Sequence, residues 1–170
     1  MSILSTTATV AATTLAAAYG LGLFFGPSIS TTIEIDAPAS AVWTELADGT
    51  DYPDWNPFVK HLTGELTAGS RLNVTIQSEG NAPMDFTPEV LVADAGKELR
   101  WVGRLGIKGI FDGEHYFILE ETDRGTTVLR HGENFRGILG YPVLALIGKD
   151  THNGFLAMND ALKARVENKG

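Results

Sequence analysis

The feature that most constrains this chain is a run of alternating segments between Leu72 and Phe135 with no helical pattern between them. Leu72, Val74 and Ile76 alternate with polar neighbours; Phe86, Val90 and Val92, then Leu99, Trp101 and Gly103, then His115, Phe117 and Leu119 follow in the same manner. Thr127, Leu129, His131, Glu133 and Phe135 share one face of a last strand. A period of two marks a half-buried strand, because successive side chains point to opposite faces. Turn signals at Ala68-Gly69, Glu79 to Pro83, Ala95-Gly96 and Asp123 to Gly125 leave no room for crossover helices, so the strands form an antiparallel sheet.

Helical periods stand on either side of this meander. Upstream, Thr31, Ile33 and Ile35 form an alternating strand that Asp36-Ala37-Pro38 stops, and Pro38 suits the start of a helix over Ala39 to Ala47 that groups Val42, Trp43 and Leu46. Gly49 ends that helix, and the segment DYPDWNPF from Asp51 to Phe58 packs two prolines and three aromatics into a tight turn. Downstream, Leu144, Ile147, Thr151, Phe155, Met158, Leu162 and Val166 recur at steps of three and four, which predicts one long helix from about Val143 to Asn168. The expectation is one α+β domain over residues 30 to 170.

This order of elements resembles the START-like or SRPBCC superfamily. The match is carried by IEIDAPASAVWTELADGTDYPDWNPF and by LRWVGRLGIKGIFDGEHYFILEETDRGTTVLRHGENFRGIL, the latter similar to the branch called polyketide cyclase/dehydrase. The resemblance implies a helix-grip fold, a curved antiparallel sheet wrapped around the long C-terminal helix, with a cavity between them for an apolar or amphipathic ligand. Fold alone does not license a reaction. Three functions therefore stand side by side: a binder of a lipid or polyketide-like molecule, a cofactor-free cyclase or dehydratase, and a protein-interaction domain with a collapsed cavity.

Inward strand positions supply the candidate site. Trp101, Phe117, Leu119, Phe135, Phe155 and Met158 would wall the cavity, with Trp55 and Asn56 as lid candidates. His115, His131 and Glu133 are the candidate acid/base residues, since a carboxylate near an imidazole can orient it and move a proton. The same three residues read equally as a satisfied internal hydrogen-bond network or as groups that orient a ligand. His61 and His152 have no context that favours a role.

Other chemistries are poorly served. Thirteen basic against twenty-one acidic side chains give a net charge of −8, which repels nucleic acid and anionic lipid headgroups unless positive charge is clustered, and no run of basic residues clusters it in the sequence. No HExxH, CxxC, GxSxG or P-loop occurs, so neither a metal nor another cofactor is expected.

The N-terminal zone is compositionally separate, with Glu34 as its first charged side chain. Residues 1 to 29 form an apolar helix read in three ways: a transmembrane or membrane-attaching anchor, a cleaved signal leading to secretion, or a helix packed on its own domain. Ser5, Thr6, Thr7, Thr9, Thr13 and Thr14 make the span marginal, and Gly22 and Gly26 have the spacing of close helix approach in membranes.

Overall fold

The computed structural model describes residues 3 to 169. Its elements run α1 (Ile3–Phe24), β1 (Ser28–Ile35), α2 (Ala39–Ala47), a 3₁₀ turn (Gly49–Asp51), α3 (Tyr52–Trp55), β2 (Val59–Thr63), β3 (Asn73–Ile76), β4 (Met84–Phe86), β5 (Glu89–Asp94), β6 (Glu98–Arg104), β7 (Asp112–Glu121), β8 (Thr127–Arg136) and α4 (Gly140–Glu167). Five strands form one antiparallel sheet in the order β1-β8-β7-β6-β5, and β2-β3-β4 form a second. Backbone bonds from Gly69 to Val90 (2.8 Å), Leu72 to Pro88 (2.9 Å) and Val90 to Ser70 (2.9 Å) stitch the two together.

The alternating stretch around Phe86 to Val92, expected as one strand, is two. Pro88 has no N–H to give to a ladder, so pairing stops after Phe86 and resumes at Glu89. Irregular register between Val90 and Val92, and between Val59 and His61, adds local bend. The resulting curved sheets take α4 on their concave side, which is the expected helix-grip arrangement.

Why α4 sits there follows from its stripe. Phe155, Met158, Leu162 and Val166 are buried among Leu99, Phe117, Leu129 and the α2 residues Val42 and Leu46. The grip is uneven along the helix: Thr151, Phe155, Met158, Asn159, Leu162 and Val166 are buried beyond its third turn, whereas in the first three turns only Gly140 is. At the C-terminal end, Arg165 reaches Glu45 and Asp51, and Lys169 reaches Glu45 (2.6 Å), which ties α4 to α2 and the 3₁₀ turn.

The N-terminal segment corrects one expectation. Among the described residues no helix is long and apolar enough to cross a membrane, so the transmembrane anchor is unsupported. The six hydroxyl side chains along α1 dilute its apolar character. The end of α1 instead touches the domain: Gly137 N–H donates to Gly22 O (2.6 Å), Arg136 Nη1 to Phe24 O (2.7 Å) and Tyr19 Oη to Lys108 O (2.7 Å). Gly22 lies so close to the backbone of Gly137 that a Cβ would sit 2.9 Å from its carbonyl carbon, and a Cβ on Gly26 would collide with Phe135 O. The two glycines whose spacing suggested helix pairing in a bilayer thus serve intramolecular approach. Residues 1 and 2 of the expected segment lie outside the described residues.

Candidate functional site

Two cross-strand rows on the concave face bring the predicted polar residues together. Trp101, His115, Glu133 and Ile29 face one another across β6, β7, β8 and β1, and Leu99, Phe117, His131 and Thr31 form the next row. His115 and His131 are thus diagonal neighbours, near enough for long side chains to meet. Their Nε2 atoms are 3.0 Å apart.

Asn159, on the buried face of α4, completes the cluster. Its side chain lies 2.8 Å from His131 Nδ1 and 2.9 Å from Thr31 Oγ1, while Thr31 Oγ1 is 3.1 Å from the carbonyl oxygen of His131. These contacts fix every proton. The His131 carbonyl only accepts, so the Thr31 hydroxyl donates to it and accepts from Asn159 Nδ2. Asn159 Oδ1 then faces His131, which must carry its proton on Nδ1. His131 Nε2 is left as an acceptor, so His115 donates from Nε2 and turns a bare Nδ1 outward.

Toward that Nδ1 points Glu133. Its Oε2 is 3.9 Å away, too far for a hydrogen bond, and the carboxyl has no other partner among the described residues. Gly113, paired across from Phe135, gives it space, since a Cβ there would collide with Glu133 Oε1. Burial raises the Glu133 carboxyl to about 7, although 20% of its side chain stays exposed. Burial has the opposite effect on the imidazoles. It lowers His115 to about 3, and it holds His131 well below its ordinary value with help from His115 and against the hydrogen bond of Asn159. Both rings are therefore neutral at physiological pH.

The aromatic candidates pack on this cluster. Trp101 stacks flat on His115 with centroids 4.7 Å apart, Phe155 on His131 at 4.1 Å, and Phe117 lies 4.4 Å from His131. Phe111 stacks on Phe135 at 5.5 Å, beside the row that holds Glu133. Trp101, Phe117, Leu119, Phe135, Phe155 and Met158 are all buried. Two surface clefts, of about 450 and 540 Å³, are lined by other residues, the larger by Pro57, Lys60, Gln77 to Gly80 and one side of α4.

Trp55 and Asn56 stand apart from the cluster. Asn56 is buried, and its Oδ1 accepts from Phe58 N–H (3.0 Å) and Val59 N–H (2.8 Å), a local turn that starts β2. Trp55 packs edge-on to Tyr52, with Arg165 over its ring. His61 and His152 are exposed. Among the described residues no group of three or more His, Cys, Asp or Glu side chains could hold a metal ion.

The comparisons with known proteins agree with this architecture. An aromatase/cyclase named Zhui from Streptomyces sp. R1128 superposes with a TM-score of 0.68 at 17% identity, covering 85% of this chain and 96% of that one. A START superfamily protein from Mycobacterium smegmatis gives 0.64 at 20% identity over 84% and 99% of the two chains. Norcoclaurine synthase from Thalictrum flavum, in complex with dopamine and hydroxybenzaldehyde, gives 0.65 at 16% over 86% and 89%. At these identities the likeness speaks for the fold. A search of curated proteins finds no match. Residues 27–167 match the profile of the family described as polyketide cyclase / dehydrase and lipid transport, and the chain belongs to that family.

Proposed function

We propose that the protein binds a small amphipathic molecule on the concave face of its sheet, with the polar end at Glu133 and the apolar part along the first half of α4. The observation that carries this reading is the Glu133 carboxyl, which faces the bare Nδ1 of His115 at the open end of the polar chain and makes no hydrogen bond of its own. The Glu133 side chain is 20% exposed, so water solvates the free carboxyl, and a ligand hydroxyl, phenol or amine would take the place of that water. The ring layer of Trp101, Phe117, Phe155 and Met158 is packed side chain on side chain, so it serves as the floor of the site. Where α4 loosens, Leu144 and Ile147 offer the ligand an apolar edge. The family, which joins cyclases with lipid transport, supports a ligand of this class.

A second reading is a cofactor-free cyclase or dehydratase, and the fixed tautomers favour it. Asn159 and Thr31 orient His131, His131 orients His115, and His115 turns a lone pair toward Glu133. A carboxyl near 7 is matched to proton transfer at neutral pH. In that case Glu133 is the acid/base, and the two histidines are positioning residues.

Titration of the full-length protein with long-chain alcohols and multi-ring phenols, read by its intrinsic tryptophan fluorescence, separates the readings. The binding role predicts saturation that weakens about tenfold or more in Glu133→Leu. Conversion of a phenolic polyketide by the wild type that vanishes in Glu133→Gln, with affinity kept within about tenfold, would establish the enzyme reading instead. No saturable response to any of these compounds would overturn both.

A further inference from the structure

The end of the molecule where α1 meets the domain carries a contiguous apolar surface that nothing above uses. Leu21, Phe24 and Phe25 project from the last turn of α1 and just beyond it; Leu105 and Ile107 lie in the β6–β7 loop; Ile138, Leu139 and Tyr141 span the β8–α4 junction. All are exposed, Phe24 and Ile107 to 72% and 71%. Backbone bonds hold the three segments together: Gly137 N–H to Gly22 O (2.6 Å), Ile138 N–H to Gly109 O (3.1 Å) and Leu139 N–H to Ile110 O (2.9 Å). Scattered surface apolar residues need no explanation, but a fixed cluster drawn from three segments marks an interaction surface.

Two observations name the occupant. The patch lies at the end of α1, a helix of 22 residues whose sequence carries no charged side chain. The ionisable groups within the three segments are Arg104, Lys108, Asp112 and Arg136. Asp112 is buried, accepting from Gly109 N–H (3.2 Å), and Arg104 has Glu89 at 3.3 Å, which leaves exposed Lys108 and half-buried Arg136, whose Nη1 donates to Phe24 O, as the cations at the patch with no acidic partner among the described residues. Apolar side chains rimmed by cations fit an interface between anionic headgroups and acyl chains.

We infer that this end of the molecule docks on the surface of an anionic lipid bilayer, with the end of α1, the β6–β7 loop and the β8–α4 junction sunk to headgroup depth. The helix then lies on the membrane and does not cross it. Docking of this kind stands whether or not the concave face holds a ligand, so its test is separate from the one above.

Flotation of the full-length protein with vesicles of two parts phosphatidylcholine to one part phosphatidylserine reads the inference directly. Wild type should rise with these vesicles and much less with phosphatidylcholine alone. The triple variant Phe24→Glu, Ile107→Glu and Tyr141→Glu should lose about tenfold or more in affinity. Lys108→Glu alters one exposed side chain, keeps the fold even if the triple variant does not, and should cost about fivefold at low salt. Wild type that stays at the bottom of the gradient, or variants that float like wild type, would overturn the inference. A dimer in sedimentation that the triple variant dissolves, without vesicle binding, would overturn it in favour of a second copy of this chain.

Discussion

The two halves of the interface between α4 and the sheet are built differently. In the C-terminal half, Phe155, Met158, Asn159, Leu162 and Val166 are buried, and the polar groups enclosed with them, Thr31, His131, Asn159 and the Nε2 of His115, satisfy one another in a single set of tautomers. In its first three turns the helix contributes only Gly140 to the buried set, and on the sheet the Glu133 carboxyl is left unpaired. A closed polar chain specifies a core, whereas an open carboxyl at the edge of that core is a group held ready for something else. Both halves are made of the same strands, and two residues along β8 separate His131 from Glu133.

Breaking the closed half should have the largest effect. His131→Leu strands two buried groups, Asn159 Oδ1 and the His115 N–H, so urea denaturation should show a loss of about 3 to 5 kcal/mol. If the loss stays under about 1 kcal/mol, the chain is not sealed as described.

The open half is read by pH. Histidines in the unfolded chain titrate near 6.5, while burial keeps His115 down at about 3 and His131 well down, so the unfolded chain takes up protons first and stability falls as pH drops below 6.5. Glu133 has the opposite sign. Its folded pKa of about 7 exceeds the ordinary 4.5, so the stability it contributes is full below about 4.5 and is lost as pH rises through 7. Glu133→Gln should therefore be more stable than wild type above pH 7, by at most about 3 kcal/mol, with a steeper acid limb between 4.5 and 6.5. Parallel stability curves for the two proteins would mean that the carboxyl is ordinary.

Much of this was legible in the residues because it follows from period. The alternation from Leu72 to Phe135 defined an antiparallel sheet, and the shared face of His131, Glu133 and Phe135 placed those side chains inward by period alone. Asn159 escaped because its signal is a single amide inside an apolar stripe, four residues from Phe155 and three from Leu162; only its helical phase marks it as buried. Without it no partner fixed the His131 tautomer, and the imidazoles could not be told from a loose acid/base pair. The uneven grip of α4 was equally hidden, since Leu144 and Ile147 continue the stripe into the half that leaves the sheet. The contact between α1 and the β8–α4 junction pairs backbone atoms more than a hundred residues apart, for which sequence period carries no signal.

A smaller effect is expected from the N-terminus. Deleting residues 1–26 removes the bonds from Gly137, Arg136 and Tyr19 but no part of the α4 stripe, so one cooperative unfolding transition should persist with a loss of about 1 to 3 kcal/mol. A molten product would place α1 in the core instead.

The most direct test of the account is native mass spectrometry of the full-length protein purified from its own host, beside the Glu133→Leu variant. The account predicts a non-covalent small-molecule adduct on the wild type, released on unfolding and absent or strongly reduced in the variant. Bare protein in both preparations, with no adduct after incubation with long-chain alcohols or multi-ring phenols, would contradict it and leave the packed interior of this fold without a ligand to serve.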